Sequence, residues 1–292
     1  MKKILLPVAL PSTALSVVHQ AAFLARHFEC EILLLHVVTS LNYPAGVLES
    51  GHGLTEQDLH AAIIKRAQQE LDLALRRELD GLAVRRLLLR GDPAREIVRT
   101  ARDEKVSLIM MSTRGHGAFY RFLLGSVTAK VLHDSDCPVW TDAQWEEAPT
   151  REFAIRNVLC AVDLGPHSHN TVSRAAQIAA KFGARLTLVH ITPGVEIYGP
   201  GGLQVLPEWK EELVGYAAGE IAKLQQDVGT KAEVIIDSGG VHKRLNRAAE
   251  QVNGDLLVIG HLPVGGHLGD NHSGYAIVRE SHIPVLSVCG PM

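Results

Sequence analysis

Six residues between positions 114 and 128 have the types and spacing to bind an anion: Arg114, Gly115, His116, Gly125, Ser126 and Thr128. An apolar run at 108–111, LIMM, precedes them, with the length and composition of a buried parallel strand. A helical pattern over 127–133 follows them. Glycine lets a backbone approach a ligand closely, and the first N–H groups of a helix have no partner of their own. Strand, glycine turn and helix start together make a cradle for phosphate-like charge, to which Arg114 and His116 could add donors. Any tight strand-to-helix turn uses glycine, so the spacing decides: Gly115, nine residues, then Gly125-Ser126-Val127-Thr128.

Other chemistries find no support. No G-x-x-x-x-G-K-[ST] occurs, which argues against a Walker-type NTPase. No nucleophile elbow with Ser, His and Asp in order is present, and no cluster has zinc spacing. Ser238-Gly239-Gly240 is similar to the pyrophosphate loop of ATP-cleaving synthetases. It follows a third strand rather than a first, where a plain turn before a helix at 242–251 is the better reading. No catalytic residue and no metal site are assigned.

With 292 residues the chain suits two ordinary domains, and its 46% hydrophobic and 21% charged content is that of a globular protein. A net charge of −3 offers no basic field for nucleic acid. Cys30, Cys137, Cys160 and Cys289 are scattered, as reduced thiols of a cytoplasmic protein are. Met1-Lys2-Lys3 and the apolar residues after it faintly resemble a secretory leader. Pro7 and Pro11 interrupt that run, so a strand and then an amphipathic helix at 13–27 are expected. No apolar run is long enough to span a bilayer.

The elements that must hold the cradle come from a repeat. ILLPVAL at 4–10 returns 154 residues later as VLCAVDL, and LLHV at 34–37 as LVHI at 188–191. Two copies of one domain follow, at 1–142 and 155–292, around a polar linker beginning near Thr141. In the first copy strands are expected at 3–8, 31–38, 84–90, 107–111 and 138–141. Helices are expected at 13–27, 56–79, 94–104 and 127–133. Alternation of this kind implies a parallel sheet with helices on both faces and a ligand crevice at the carboxyl ends of the strands. The glycine loop, after strand four, falls at that crevice.

The spacing of Gly115, Gly125 and Ser126 resembles the G-x2-G-x9-G-[ST] signature of the universal stress protein family, departing from it at Ser112. The resemblance covers essentially the whole chain and is to the two-domain members. It implies an α/β fold of two tandem open five-stranded parallel sheets, each of order 3-2-1-4-5, of the adenine nucleotide alpha hydrolase-like type. It also implies an adenosine pocket of Pro7, Val8, Ala9, Val37 and Met111. The phosphates would meet Arg114, Gly115, His116, Gly125, Ser126, Val127 and Thr128. Core packing explains Val37 and Met111 equally well, and helix capping explains Ser126.

The copies differ. In nucleotide-binding members strand one ends in aspartate; the first copy has Ala9, while the second keeps Asp163. The second copy's loop has Pro263 in place of Gly115, is two residues shorter and has no Gly-Ser helix opening. The first copy is therefore expected to hold the phosphates and the second to have lost them. His167, His169, His261, His267 and His272 lie on loops near Asp163. A metal or anion site is conceivable there, with exposed polar loop the plainer reading.

The resemblance implies an adenine-nucleotide-binding stress sensor or regulator, taking ATP or another adenine nucleotide, with or without Mg²⁺. A slow ATP hydrolase and a non-nucleotide scaffold are the alternatives. The partners implied are the nucleotide and a regulatory protein, without nucleic acid or membrane. The fifth strands are expected to pair within the chain as a pseudo-dimer, and whole chains to form a further homodimer.

Overall fold

A computed structural model describes residues 1–10, 13–39, 56–113, 124–142, 153–192, 207–261 and 272–289. In the first half the strands are β1 (Lys3–Pro7), β2 (Glu31–Val38), β3 (Val84–Arg90), β4 (Leu108–Met111) and β5 (Val139–Thr141). They alternate with α1 (Leu15–Phe28), α2 (Glu56–Leu73), α3 (Pro93–Asp103) and α4 (Ser126–Asp134). The second half repeats this with β6 (Asn157–Ala161), α5 (Ser168–Phe182), β7 (Arg185–Thr192), α6 (Pro207–Val228) and β8 (Glu233–Ser238). It ends with α7 (Val241–Gln251), β9 (Leu256–His261), α8 (His272–Glu280) and β10 (Val285–Cys289).

All ten strands lie in one sheet of order β3-β2-β1-β4-β5-β10-β9-β6-β7-β8. Each half is parallel and has the order 3-2-1-4-5; the halves meet where β5 pairs antiparallel with β10. Helices cover both faces, which is why the strands are apolar at consecutive positions rather than at alternate ones. Ile4, Leu6, Ile32 and Leu34 pack under α1 and α2, as Val158 and Leu188 do under α5 and α6. Leu5, Leu33 and Leu35 pack against the opposite layer of α3 and α4, which continues into α7 and α8.

The halves also meet through aromatic side chains. Phe23 of α1 and Phe182 of α5 stack at 5.8 Å, and His27 stacks on Phe182 at 4.5 Å. Phe153 meets Phe23 edge-on at 5.2 Å. The expected linker is therefore built into the body at both ends: Thr141 and Asp142 are buried, and so is Ile155.

Local signals act as elementary physics requires. Asp92 caps α3, its Oδ1 accepting from the Arg95 N–H at 3.0 Å, with Pro93 at the first helical position. The helix expected over 56–79 is shorter: α2 ends at Leu73. The Arg86 guanidinium of β3 takes up the carbonyls of Leu71 and Ala74, at 3.0 and 2.9 Å, and Leu75 adopts a left-handed φ of 54°. The turn at 238–240 precedes α7 with Gly239 at φ 119°, as a plain turn before a helix.

Candidate functional site

The crevice of the first half opens where β1 and β4 lie side by side and their connections leave in opposite directions, to β2 and to β5. Pro7, Val8 and Ala9 close strand one, Val8 buried and Ala9 exposed. The Val8 N–H donates to the Leu35 carbonyl at 2.8 Å. Val37 is half-buried near the end of β2, and Met111 is buried at the end of β4. Both pack into the apolar layer shared with α3 and α4.

His36 fixes the rim. Its Nδ1 lies 2.9 Å from the Val8 carbonyl, and a carbonyl only accepts, so Nδ1 carries the hydrogen. His190 repeats the contact to Val162 at 2.7 Å in the second half. These two histidines join strand ends in both copies and are structural.

The glycine loop leaves β4 and returns at α4. Its base is closed by two hydrogen bonds of 2.9 Å: the Gly125 N–H to the Thr113 carbonyl, and the Thr128 hydroxyl to the Ser112 carbonyl. Thr128 is buried, and its hydroxyl serves this closure. Gly125 is the N-cap of α4, with no side-chain cap, and Ser126 is the exposed first residue of the helix. The N–H groups of the first turn, at Ser126, Val127 and Thr128, are those a helix leaves without internal partners. Arg114, Gly115 and His116 lie outside the described residues.

Asp142 belongs to this base and has no motif to announce it. It directly follows β5 and is 1% exposed. Its Oδ1 accepts the Thr113 N–H at 3.2 Å, and its Oδ2 accepts the hydroxyl of Ser16 near the start of α1.

In the second half Asp163 stands where Ala9 does in the first. Its Oδ1 accepts from the Gly165 N–H at 2.9 Å and the Ser168 hydroxyl at 2.6 Å, bending the chain into α5. Beside it lies a cavity of about 540 Å³ whose lining includes Asp163, Ile191, Leu245, Ile259, Tyr275 and Ser287. No lysine or arginine occurs among the described residues lining it. The Ser287 hydroxyl, buried on its wall, has no hydrogen-bond partner among the described residues. His167 is at the rim. His267 and the side chains of His261 and His272 lie outside the described residues. Among the described residues no three His, Cys, Asp or Glu side chains are grouped to hold a metal ion. Among them, too, no helix is long and apolar enough to cross a membrane.

The model of the universal stress protein family matches residues 1–141 and again 154–288. The chain belongs to the universal stress protein family. A universal stress protein of Mycolicibacterium smegmatis is 28% identical over 267 residues, covering 86% of this chain and 84% of that one. Universal stress protein MJ0577 of Methanocaldococcus jannaschii is 32% identical over 151 residues, 47% of this chain and 92% of its own. Among solved structures, a universal stress protein from Archaeoglobus fulgidus superposes with a TM-score of 0.70 at 22% identity, covering 98% of both chains. That likeness extends over both halves and gives the fold.

Proposed function

We propose that this chain is an adenine-nucleotide-binding stress regulator whose first half holds the nucleotide. The observation that carries the reading is the open start of α4. Gly125 caps it without a side chain, and the base of the loop is pinned to the end of β4 by Thr113 and Ser112. The first N–H groups of a helix have no partner within it and can turn to phosphate oxygens. In this reading the base lies among Val8, Val37 and Met111, and Arg114, Gly115 and His116 complete the phosphate contacts. Mg²⁺, where it accompanies the nucleotide, is held by the phosphates.

The second half plays a different part. A polyphosphate entering its cavity would meet the Asp163 carboxylate with no described lysine or arginine to offset it. The two halves act as an intramolecular pseudo-dimer with one loaded and one unloaded side, and a protein partner reads the loaded state. A scaffold without nucleotide is the competing reading, favoured by Ala9 and by Ser112, where the family signature has glycine.

Extraction of the purified protein with acid, followed by chromatography of the supernatant, tests the reading. About one adenine nucleotide per chain is expected. An extract empty of nucleotide, with no heat of binding on adding ATP, establishes the scaffold. Phosphate release from added ATP would instead make the protein a hydrolase.

A further inference from the structure

We propose that Cys137 and Cys289 form an oxidisable dithiol across the joint of the two halves, closing to a disulfide under peroxide. The joint is short. Val285 faces Thr141, Leu286 faces Trp140 and Ser287 faces Val139. Cys137 lies in the bend two residues before β5 and Cys289 is the last residue of β10, so counting that register outward brings the two cysteines towards each other. Side chains alternate along a strand, so Cys289 shares the face of Ser287, which is that of Val139, and Cys137 packs into the same apolar layer as Val139. The Cys289 Sγ lies 3.9 Å from the Cys137 carbonyl and 3.2 Å from that of Ser135, while the Cys137 Sγ lies 3.5 Å from the Val106 carbonyl and must swing from it to meet Cys289. Directly opposed Cα atoms of an antiparallel pair are about 4.5–5.5 Å apart. That falls inside the roughly 4.4–6.8 Å a disulfide spans. Both thiols are free and half-buried, whereas Cys30, just before β2, and Cys160, in β6, are buried elsewhere.

The chemistry balances with a peroxide as oxidant. The Cys289 sulfur attacks a peroxide oxygen, the O–O bond breaks, and a sulfenic acid and one water form. The Cys137 sulfur then attacks that sulfur; the S–S bond forms, the S–O bond breaks and a second water leaves. Two thiols are oxidised and one peroxide is reduced. Burial pushes the Cys137 thiol up to about 12, helped by Cys289, and burial with Asp136 pushes Cys289 up to about 11. Little thiolate is present near neutral pH, so the bond responds to sustained peroxide rather than to a brief pulse. Once closed, it adds a covalent tie between the bend before β5 and the end of β10, beside the ladder that pairs them.

The test uses the full chain. Protein treated with hydrogen peroxide is alkylated in denaturant, taken from the monomer band of a non-reducing gel, digested without reduction and mapped by mass spectrometry. The expected product joins the Cys137 and Cys289 peptides, is lighter by two hydrogens and is released by dithiothreitol, while Cys30 and Cys160 are alkylated. The oxidised protein should melt several degrees above the reduced one. Cys289→Ser and, separately, Cys137→Ala should remove both the linked peptide and that difference. A link to Cys30 or Cys160, a link between chains, single-site sulfinic acids, or unchanged thiols after prolonged treatment would overturn the proposal.

Discussion

The Thr113 N–H donates to the Asp142 carboxylate at 3.2 Å, joining the exit of β4 to the end of β5. The other oxygen of that carboxylate takes the hydroxyl of Ser16, which brings the start of α1 into the same tie. Three segments far apart in the chain thus share one buried acid beside Thr113, where the glycine loop departs.

Asp142→Ala should strand a buried N–H and a hydroxyl together. A loss of about 1–3 kcal/mol is expected from a group of this kind. Urea denaturation of the variant against the parent protein measures it, and Asp142→Asn, which keeps an acceptor, should lose less. Equal stability of all three proteins would remove Asp142 from the loop base.

Gly125→Val should abolish ATP binding while leaving the fold intact. Gly125 sits at φ −58° and ψ 137°, an extended conformation that valine accepts. The loss would therefore come from the side chain blocking phosphate approach to the helix start. Calorimetric titration with ATP, paired with a thermal melt, reads both quantities. Undiminished affinity in a folded variant places the nucleotide elsewhere.

One nucleotide per chain is the expected stoichiometry. Asp163→Asn should leave ATP affinity within about threefold of the parent, since Asp163 Oδ1 is engaged by Gly165 and Ser168 in shaping the turn into α5. Two bound nucleotides, or loss of binding in this variant, would transfer the role to the second half.

Acid should loosen the first half through Glu104. The Arg85 and Lys3 side chains hydrogen-bond its carboxylate at 2.6 and 2.9 Å, holding it at about 2, below its ordinary 4.5. A carboxyl lowered in the folded state is stabilising above the unfolded value, and the gain fades as pH falls from 4.5 towards 2. The group is solvent-accessible, so the effect is small. In Glu104→Gln the melting temperature should fall less between pH 5 and pH 2.5 than in the parent. An identical fall would mean the ion pairs contribute nothing.

Gly254→Ala should destabilise the second half by about 1–3 kcal/mol. A Cβ there would lie 2.3 Å from Leu159 Cδ1 and 3.2 Å from Ile283 Cδ1. Leu159 is fully buried in β6 and has little room to retreat. Chemical denaturation is the measure, and Gly254→Ala combined with Leu159→Ala should recover part of the clash energy.

The layered architecture was legible because its signals are local or repeated. The apolar strands return at a fixed offset, and Asp92-Pro93 announces a helix start on its own. The length of α2 was not legible, because its end is set by Arg86 reaching back to the carbonyls of Leu71 and Ala74. Of the candidate site, the glycine spacing stands in the sequence, whereas the bond from the Thr128 hydroxyl to the Ser112 carbonyl, sixteen residues back, has no local signal. Asp142 left no trace, since a single acid at the border of a polar stretch has neither period nor partner in the sequence. Arg114, Gly115 and His116 carry the signature but fall outside the described residues.

The joining of β5 to β10 has a consequence for colloidal behaviour. Two separate five-stranded sheets would expose four edges, each a template for strand addition by another chain. Here two of them satisfy each other, leaving β3 and β8 outermost. The first bears Arg85, Arg86 and Arg90, and the second bears Glu233 and Asp237. An approaching strand must desolvate those charges before it can add to either rim, so the tandem arrangement confines self-templated growth to the two places where charged side chains oppose it.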